Sequence, residues 1–418
     1  MNAGLEQHPN LSSCKYDRQT LTGTARPAIR RFAANSFPAM AAYDLGMLIR
    51  SVVRIVKLFV LVFGCSMVFA QAQQPVRVAI VGLEHGHVSG FLHAFPLQHE
   101  VELVAIVDPD AALRAKYEQE FHLDHGLLFS NLDEAVAAKH PQALLVYTPI
   151  GEHRRIIEAA AARGLDVMVE KPLTLSLNDA LAIRKAAREH HIQVLVNYET
   201  TWYSSNRAVY EMVQQDKLGQ IRKVVVHDGH QGPQEINVQP EFLKWLTDPA
   251  ENGAGALYDF GCYGADLMTW LMHGEAPLSV TAVAQTDKPD KYPRVDDDAT
   301  IILRYPHAQA VLMPSWNWTF GRKDTEVYGT KAYAIALNPT QVRVRFSEKD
   351  PEETTTAAPL APPEDTSLHY LAAVLRGELK PQGDLTALDT NMVVMQILDA
   401  ARESAKTGKT VELKPLPQ

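Results

Sequence analysis

Lys171 carries the most chemistry in the chain, standing in Val169-Glu170-Lys171-Pro172-Leu173 directly after an apolar run, Asp166 to Val169, that reads as a strand. An ammonium at the carboxyl end of a strand projects into the crevice where ligands of open α/β sheets bind. There it can stabilise the alkoxide that develops as a hydride leaves a carbinol carbon. Glu170 is placed to orient it. Without further context, a lysine at a strand end is equally a solvated surface charge. A second cluster is Asp259-Phe260-Gly261-Cys262-Tyr263-Gly264-Ala265-Asp266, preceded by the small residues Gly253 to Ala256. Asp259 and Tyr263 are spaced i, i+4, so a helix puts them on one side. A tyrosine transfers protons when a neighbouring cation lowers its pKa, and Lys171 is the available cation. The plainer reading makes Tyr263 an aromatic at the core edge, its hydroxyl on a backbone carbonyl.

The third group is Gly82-Leu83-Glu84-His85-Gly86-His87, at the end of the strand-like run Val76 to Val81. A glycine-rich turn there would let backbone amides approach a pyrophosphate at a helix N-terminus. Of the pattern G-x-G-x-x-G only Gly82 is kept, with Glu84 and His87 at the other two glycine positions. Glu84 would repel a pyrophosphate unless it points away, whereas Gly86 still allows close approach; an ordinary strand-to-helix turn reads the same way. Asp108 ends the next strand, where a carboxylate accepts hydrogen bonds from ribose hydroxyls. It favours NAD over NADP, because it would repel a 2′-phosphate and no arginine follows until Arg114. The alternative is a turn aspartate before Pro109. His85 with His87, or His227 with Asp228 and His230, are the histidine groupings. Such pairs on turns and strands are common without a metal, and none is expected.

These residues need elements to hold them. From Val76 the chain alternates β-branched runs with helical spacing, the pattern of βαβ units and a doubly wound parallel sheet. Strands are expected at Val76 to Val81, Val101 to Val107, Ala143 to Tyr147, Asp166 to Val169 and Gln193 to Val196. Helices are expected at Asn131 to Lys139, His153 to Arg163, with Gly164 ending it, and Leu177 to His190. After Trp202 the runs Val224 to His227, Ser279 to Ala284, Ala299 to Tyr305 and Ala310 to Pro314 predict an α+β domain with a large, mostly antiparallel open sheet. A helical pattern from His369 to Ser404, broken near Pro381 and Gly383, closes the chain, and Pro351 to Asp365 reads as a loop.

Tyr147-Thr148-Pro149-Ile150, with His153 behind it, in register with Glu170-Lys171-Pro172, resembles the Gfo/Idh/MocA family of oxidoreductases. The likeness runs from about Val76 to about Leu413. It implies an α/β Rossmann domain over 75–198 and a substrate and oligomerisation domain over 199–418, with no metal. It also implies cofactor contacts from Gly82, Glu84, His85, Gly86, His87, Asp108, Thr148, Pro149, His153, Glu170, Lys171, Pro172 and Asn197. Catalysis falls to Lys171, Asp259 and Tyr263, and substrate binding to these with Tyr198 and Trp245, aromatic faces being suited to sugar rings. The segment from Asp259 resembles the family's D-x-G-x-H-x-x-D, with Tyr263 at the histidine position. Thr200 and Thr201 stand where many relatives have an arginine pair, so the charge of that pair must be absent or supplied elsewhere. The implied substrate is a sugar-like small molecule, and relatives commonly pair through the second sheet, so a homo-oligomer is expected.

The 418 residues, 46% hydrophobic and 21% charged, are too many for one ordinary domain. A net charge of −9 without a basic block excludes nucleic acid as a partner. Three cysteines, Cys14, Cys65 and Cys262, give no disulfide framework. Arg50, Arg54 and Lys57 precede an uncharged run, Leu58 to Ala70, ending in Val68-Phe69-Ala70, which is the form of a secretory signal. The run is too short to span a bilayer, so no integral span is expected in the mature protein. Residues 47–70 are therefore expected to be a signal peptide and 1–46 an upstream extension without structure of its own. The mature protein is then expected to be exported to the periplasm, with lipidation at Cys65 the alternative. Three functions follow: a nicotinamide-dependent oxidoreductase acting on a sugar or cyclic polyol, an NAD-dependent glycosidase with retained cofactor, and a non-catalytic nucleotide- or sugar-binding protein.

Overall fold

The computed structural model describes residues 74–417; the expected extension and signal peptide lie outside the described residues. Short β-branched runs buried on both faces build the first sheet, as parallel pairing requires. Its strands are β1 (Val76–Val81), β2 (Val101–Val107), β3 (Leu128–Phe129), β4 (Ala143–Val146), β5 (Asp166–Glu170) and β6 (Val194–Asn197), in the order β3-β2-β1-β4-β5-β6, all parallel. The order reverses beside β1, so the crevice beyond the carboxyl ends of β1 and β4 is the switch point where such sheets bind ligands. The crossover helices begin where polar caps stand. Asn131 accepts from the Glu134 amide at 2.9 Å and Ser176 from the Asp179 amide at 3.2 Å, while Gly164 takes φ +66° just after the helix His153–Ala161.

The second sheet has nine strands: β7 (Ile221–Gly229), β8 (Ser279–Gln285), β9 (Asp298–Arg304), β10 (Gln309–Ser315), β11 (Arg322–Gly329), β12 (Tyr333–Ala336), β13 (Gln341–Arg345), β14 (Glu353–Thr356) and β15 (Val411–Glu412). Their order is β14-β13-β12-β11-β7-β10-β9-β8-β15, antiparallel throughout except where β7 and β10 run parallel. The sequence reading missed β11, which opens on the charged run Arg322-Lys323-Asp324, and the short β12 and β13, of four and five residues; β14 lies inside the stretch expected to be a loop. The helices Gly261–Leu271 and Leu388–Thr407 cover one face, and the core formed there runs continuously into one face of the parallel sheet. The other face of the parallel sheet is covered in part by the helix Ser367–Leu375, whose Leu368, Leu371 and Val374 pack with Ile80, Leu145 and Leu195. The boundary read at residue 198 is therefore one of chain order and not of packing: the described residues, 74–417, form one compact unit.

Candidate active site

Lys171 follows β5, and Asp259 ends a short helix, Ala256–Asp259, across the cleft. Lys171 Nζ donates to Asp259 Oδ1 at 2.5 Å and to the Asp259 carbonyl at 3.0 Å, with both residues buried. The indole of Trp316 donates to the other oxygen, Oδ2, at 2.9 Å. Burial opposes charge on both partners, but each outweighs it for the other: Lys171 is held above the usual lysine range and Asp259 below the usual carboxylate range. The pair is charged and fixed.

Lys171 and Tyr263 line a cleft of about 320 Å³ together with His87, Glu199, His230, Asp259, Phe260 and Lys323. Two ammonium groups lie over the face of Tyr263, Lys171 at 5.1 Å and Lys323 at 4.4 Å from the ring centroid. Lys323 reaches in from β11 and donates to Glu199 at 2.5 Å. Thr200 and Thr201 bring no charge to the site, and their hydroxyls are buried without partners. The Tyr263 hydroxyl has no protein partner among the described residues. Burial first, then Asp228 and Glu199, push it well above the usual phenol range. The expectation that Lys171 lowers it is therefore corrected: the cations sit on the ring face, and Tyr263 stays a neutral hydrogen-bond donor. His230 accepts the Gly232 amide on Nδ1 at 2.9 Å, and burial keeps it from charging.

Glu170 does not orient Lys171. Its Oε1 accepts from Asn197 Nδ2 at 3.0 Å, a consequence of the β5–β6 register that pairs the two residues, and its Oε2 lies 3.1 Å from His87 Nδ1. His85 is buried, and its Nδ1 accepts the His87 amide at 3.1 Å. Two expected substrate contacts also move. Tyr198 is fully buried, its hydroxyl on Asn391 at 2.8 Å, and it supports Tyr263 edge-on from behind. Trp245 is buried against His85, with its indole on the Glu84 carbonyl at 3.4 Å, because its helix, Pro240–Leu246, sets Trp245 on the turn and presents Phe242 and Leu246 to the cleft instead. His153 is likewise a brace: its ring nitrogens lie 3.2 Å from the Leu173 carbonyl and 3.3 Å from that of Thr148, tying the loops after β4 and β5 together. Pro149 and Pro172 sit in those loops, both buried.

A second cavity, of about 230 Å³, lies beyond β1, β2 and β4 and is walled by Gly82, Glu84, Asp108, Thr148 and Glu152. It has the marks of an adenosine end. Gly82 takes φ +90°, and a Cβ there would meet Thr148 Cγ2 at 2.6 Å; the buried Thr148 hydroxyl has no partner. Asp108 accepts the Leu83 and Asp110 amides, each at 2.8 Å, and Arg114 donates to the Asp108 carbonyl. Glu84 faces this cavity instead of pointing away, and burial, then Asp108 and Glu152, push its carboxyl up to about 7. Between the cavities, Gly86 approaches Gln239 and Phe242 closely enough that a Cβ would meet them at 2.8 and 3.1 Å. The adenosine end thus fits a nicotinamide nucleotide, and the middle of its path is covered by the helix Pro240–Leu246.

Comparison with known proteins agrees with this layout. Residues 76–198 match the family model described as "Oxidoreductase family, NAD-binding Rossmann fold", and residues 206–335 match the "GFO/IDH/MocA C-terminal domain". Trans-1,2-dihydrobenzene-1,2-diol dehydrogenase of Xenopus laevis is 25% identical over 279 residues, 64% of this chain and 79% of the relative. The 1,5-anhydro-D-fructose reductase of Ensifer adhaerens is 23% identical over 321 residues, 75% of this chain and 91% of the relative. Among solved structures, an inositol dehydrogenase homolog from Azotobacter vinelandii complexed with NAD+ superposes with a TM-score of 0.71 at 21% identity, covering 82% of this chain and 98% of its own. Aldose-aldose oxidoreductase from Caulobacter crescentus complexed with glycerol gives 0.70 at 22%, covering 81% and 100%.

Proposed function

The chain belongs to the Gfo/Idh/MocA family of oxidoreductases, and on that premise we propose that it transfers hydride to or from a secondary hydroxyl or carbonyl of a sugar or cyclic polyol. The observation that carries this reading is the Lys171–Asp259 pair, an ammonium fixed at 2.5 Å and presented to a cleft beside the unpartnered Tyr263 hydroxyl. The relatives' names, a diol dehydrogenase and an anhydrofructose reductase, point to the same class of substrate. Asp108 favours NAD over NADP.

The residues that would hold the nucleotide are Gly82, Asp108 and Thr148 at the adenosine end, and the nucleotide supplies or takes the hydride. The substrate oxygen is met by the Lys171 ammonium, which stabilises negative charge on it without giving up its own proton. Tyr263, neutral, hydrogen-bonds the same oxygen, and the proton that joins that oxygen on reduction, or leaves it on oxidation, is exchanged with water in the open cleft. Lys323 and Glu199 close the far side and keep the cleft polar. A second reading, a glycosidase that oxidises its substrate transiently, is supported by the helix covering the middle of the nucleotide path; release of free sugar from a glycoside with no net change in NADH would select it.

The test is turnover of NAD(P)+ with a panel of aldoses and inositols. Replacing Lys171→Met should lower kcat by about 10²- to 10³-fold. It also strands a buried carboxylate, at a cost of about 3–5 kcal/mol. The double variant Lys171→Met/Asp259→Asn should recover that stability and stay inactive. Wild-type kcat in Lys171→Met would sink the proposal.

A further inference from the structure

We propose that His85, His87 and Glu170 form a site for a divalent transition-metal cation, zinc-like in its donor set, at the inner wall of the catalytic cleft. The sequence shows a pair of histidines on a turn and offers no third ligand. The fold supplies it: the turn after β1 is laid against the end of β5, and one donor atom from each of the three residues comes within 4.8 Å of the others. His87 Nδ1 and Glu170 Oε2 are 3.1 Å apart. Two ligands each about 2.1 Å from a tetrahedral metal are about 3.4 Å apart, so parting this hydrogen-bonded pair by a few tenths of an ångström seats a cation between them. His85, its ring centroid 4.5 Å from that of His87, accepts the His87 amide on Nδ1, so that nitrogen is unprotonated and a cation takes its lone pair in place of the amide.

The surroundings are those of a ligand set held in place. Asn197 fixes Glu170 at 3.0 Å and is itself fixed by the Trp202 indole at 3.1 Å, the kind of outer contact that orients a ligating carboxylate. Phe242 and Trp245, with ring centroids 4.6 and 5.5 Å from that of His85, cover one side with apolar surface. The other side opens on the cleft, since His87 lines it with Lys171 and Tyr263. Three protein ligands and one open position are the arrangement of catalytic zinc sites, and two imidazoles with one carboxylate disfavour magnesium and calcium, which take oxygen. The nearby ammonium of Lys171 is committed to Asp259 and leaves Glu170 to the cation.

A second grouping makes the contrast. His227, Asp324 and Glu326 also bring donor atoms within 4.8 Å of one another, but Arg322 donates to both oxygens of Asp324, at 2.5 and 3.0 Å. A guanidinium already holds the place of a cation there.

The proposal goes beyond the hydride chemistry and is tested apart from it. The full chain is incubated with zinc, cobalt(II), manganese or magnesium, dialysed against metal-free buffer and assayed by elemental mass spectrometry, with bound NAD(H) measured in the same samples. Wild type should retain roughly one zinc per chain, and cobalt(II) should give visible absorption bands. His87→Ala and Glu170→Gln should retain at least about tenfold less, and Asn197→Ala should bind about 10- to 100-fold more weakly, all with unchanged circular dichroism. His227→Ala should match wild type. Retention no higher than the buffer blank in wild type for all four metals, or equal retention in His87→Ala, overturns the proposal. Bound nucleotide without metal also overturns it and leaves the hydride reading standing, while metal without nucleotide does the reverse.

Discussion

Asp228, near the end of β7, shows how burial decides protonation among mixed charges. It is 3% exposed and its Oδ1 has no partner. Burial pushes its carboxyl up to about 8, against the pull of Lys323 and Lys171 and with the help of Glu199 and Asp259. The folded protein therefore keeps a proton that the unfolded chain loses near its ordinary value of 3.8. The folded state binds more protons through that interval, so stability falls as pH rises from about 4 to about 8. Asp228→Asn, neutral at every pH, should melt higher than wild type at pH above about 8, with the gap narrowing towards pH 5. Parallel scans at the two pH values check this, and an equal gap at both would refute it. Lys171 was legible in the sequence because a strand end announces its own position. Lys323 and Trp316 were not: they reach the cleft from the second sheet, and nothing local in Trp316-Asn317-Trp318 or Arg322-Lys323-Asp324 tells a cleft residue from a core or surface one.

At the scale of elements, Asp259 is only as well placed as the four-residue helix Ala256–Asp259 that carries it. That helix is too short to hold itself. Asp296 holds it, accepting the Gly255 amide at 2.8 Å and the Leu257 amide at 2.7 Å, while its carbonyl takes the Ala256 amide at 3.1 Å. The approach is so close that a Cβ on Gly255 would lie 1.7 Å from the Asp296 carbonyl oxygen. Asp296→Ala should cost about 2 kcal/mol from the lost bonds. It should lower kcat at least about tenfold, since a misplacement near 1 Å is felt that strongly. Activity and melting point measured together decide it; lost stability with full kcat would mean that the clamp does not position Asp259. Five strands of the parallel sheet, β1, β2, β4, β5 and β6, were legible to within a residue because each is a mostly apolar run; the two-residue β3 was not, being too short to make a pattern. Asp296 was not, because its partners lie about 40 residues earlier in the chain and hydrogen bonds between loops leave no periodicity.

For the whole molecule, chain order and packing disagree at one place, and that place can be tested. The sequence divides cleanly near residue 198, yet the parallel sheet is finished by a helix that follows the second sheet. Met168 and Leu195 belong with Leu368, Tyr370 and Leu371 to one buried cluster. Arg376 beyond the helix donates to Glu100 and, at 3.2 Å, to the Gln74 carbonyl, locking the helix to the start of β1 and the approach to β2. The chain must return because βαβ crossovers cover a sheet only where they run: β5 and β6 are joined by a helix on the opposite face, Leu177–His190, which packs on Leu388–Thr407. A fragment of residues 74–200 would thus expose the apolar face of β4 to β6, and such a fragment should be insoluble or molten, binding a hydrophobic dye. Supplying residues 360–417 on a second chain should restore solubility and sharp amide resonances. A fragment of 74–200 that folds cooperatively alone would show that the returning helix is dispensable, and that the boundary seen in the sequence is also the boundary in folding.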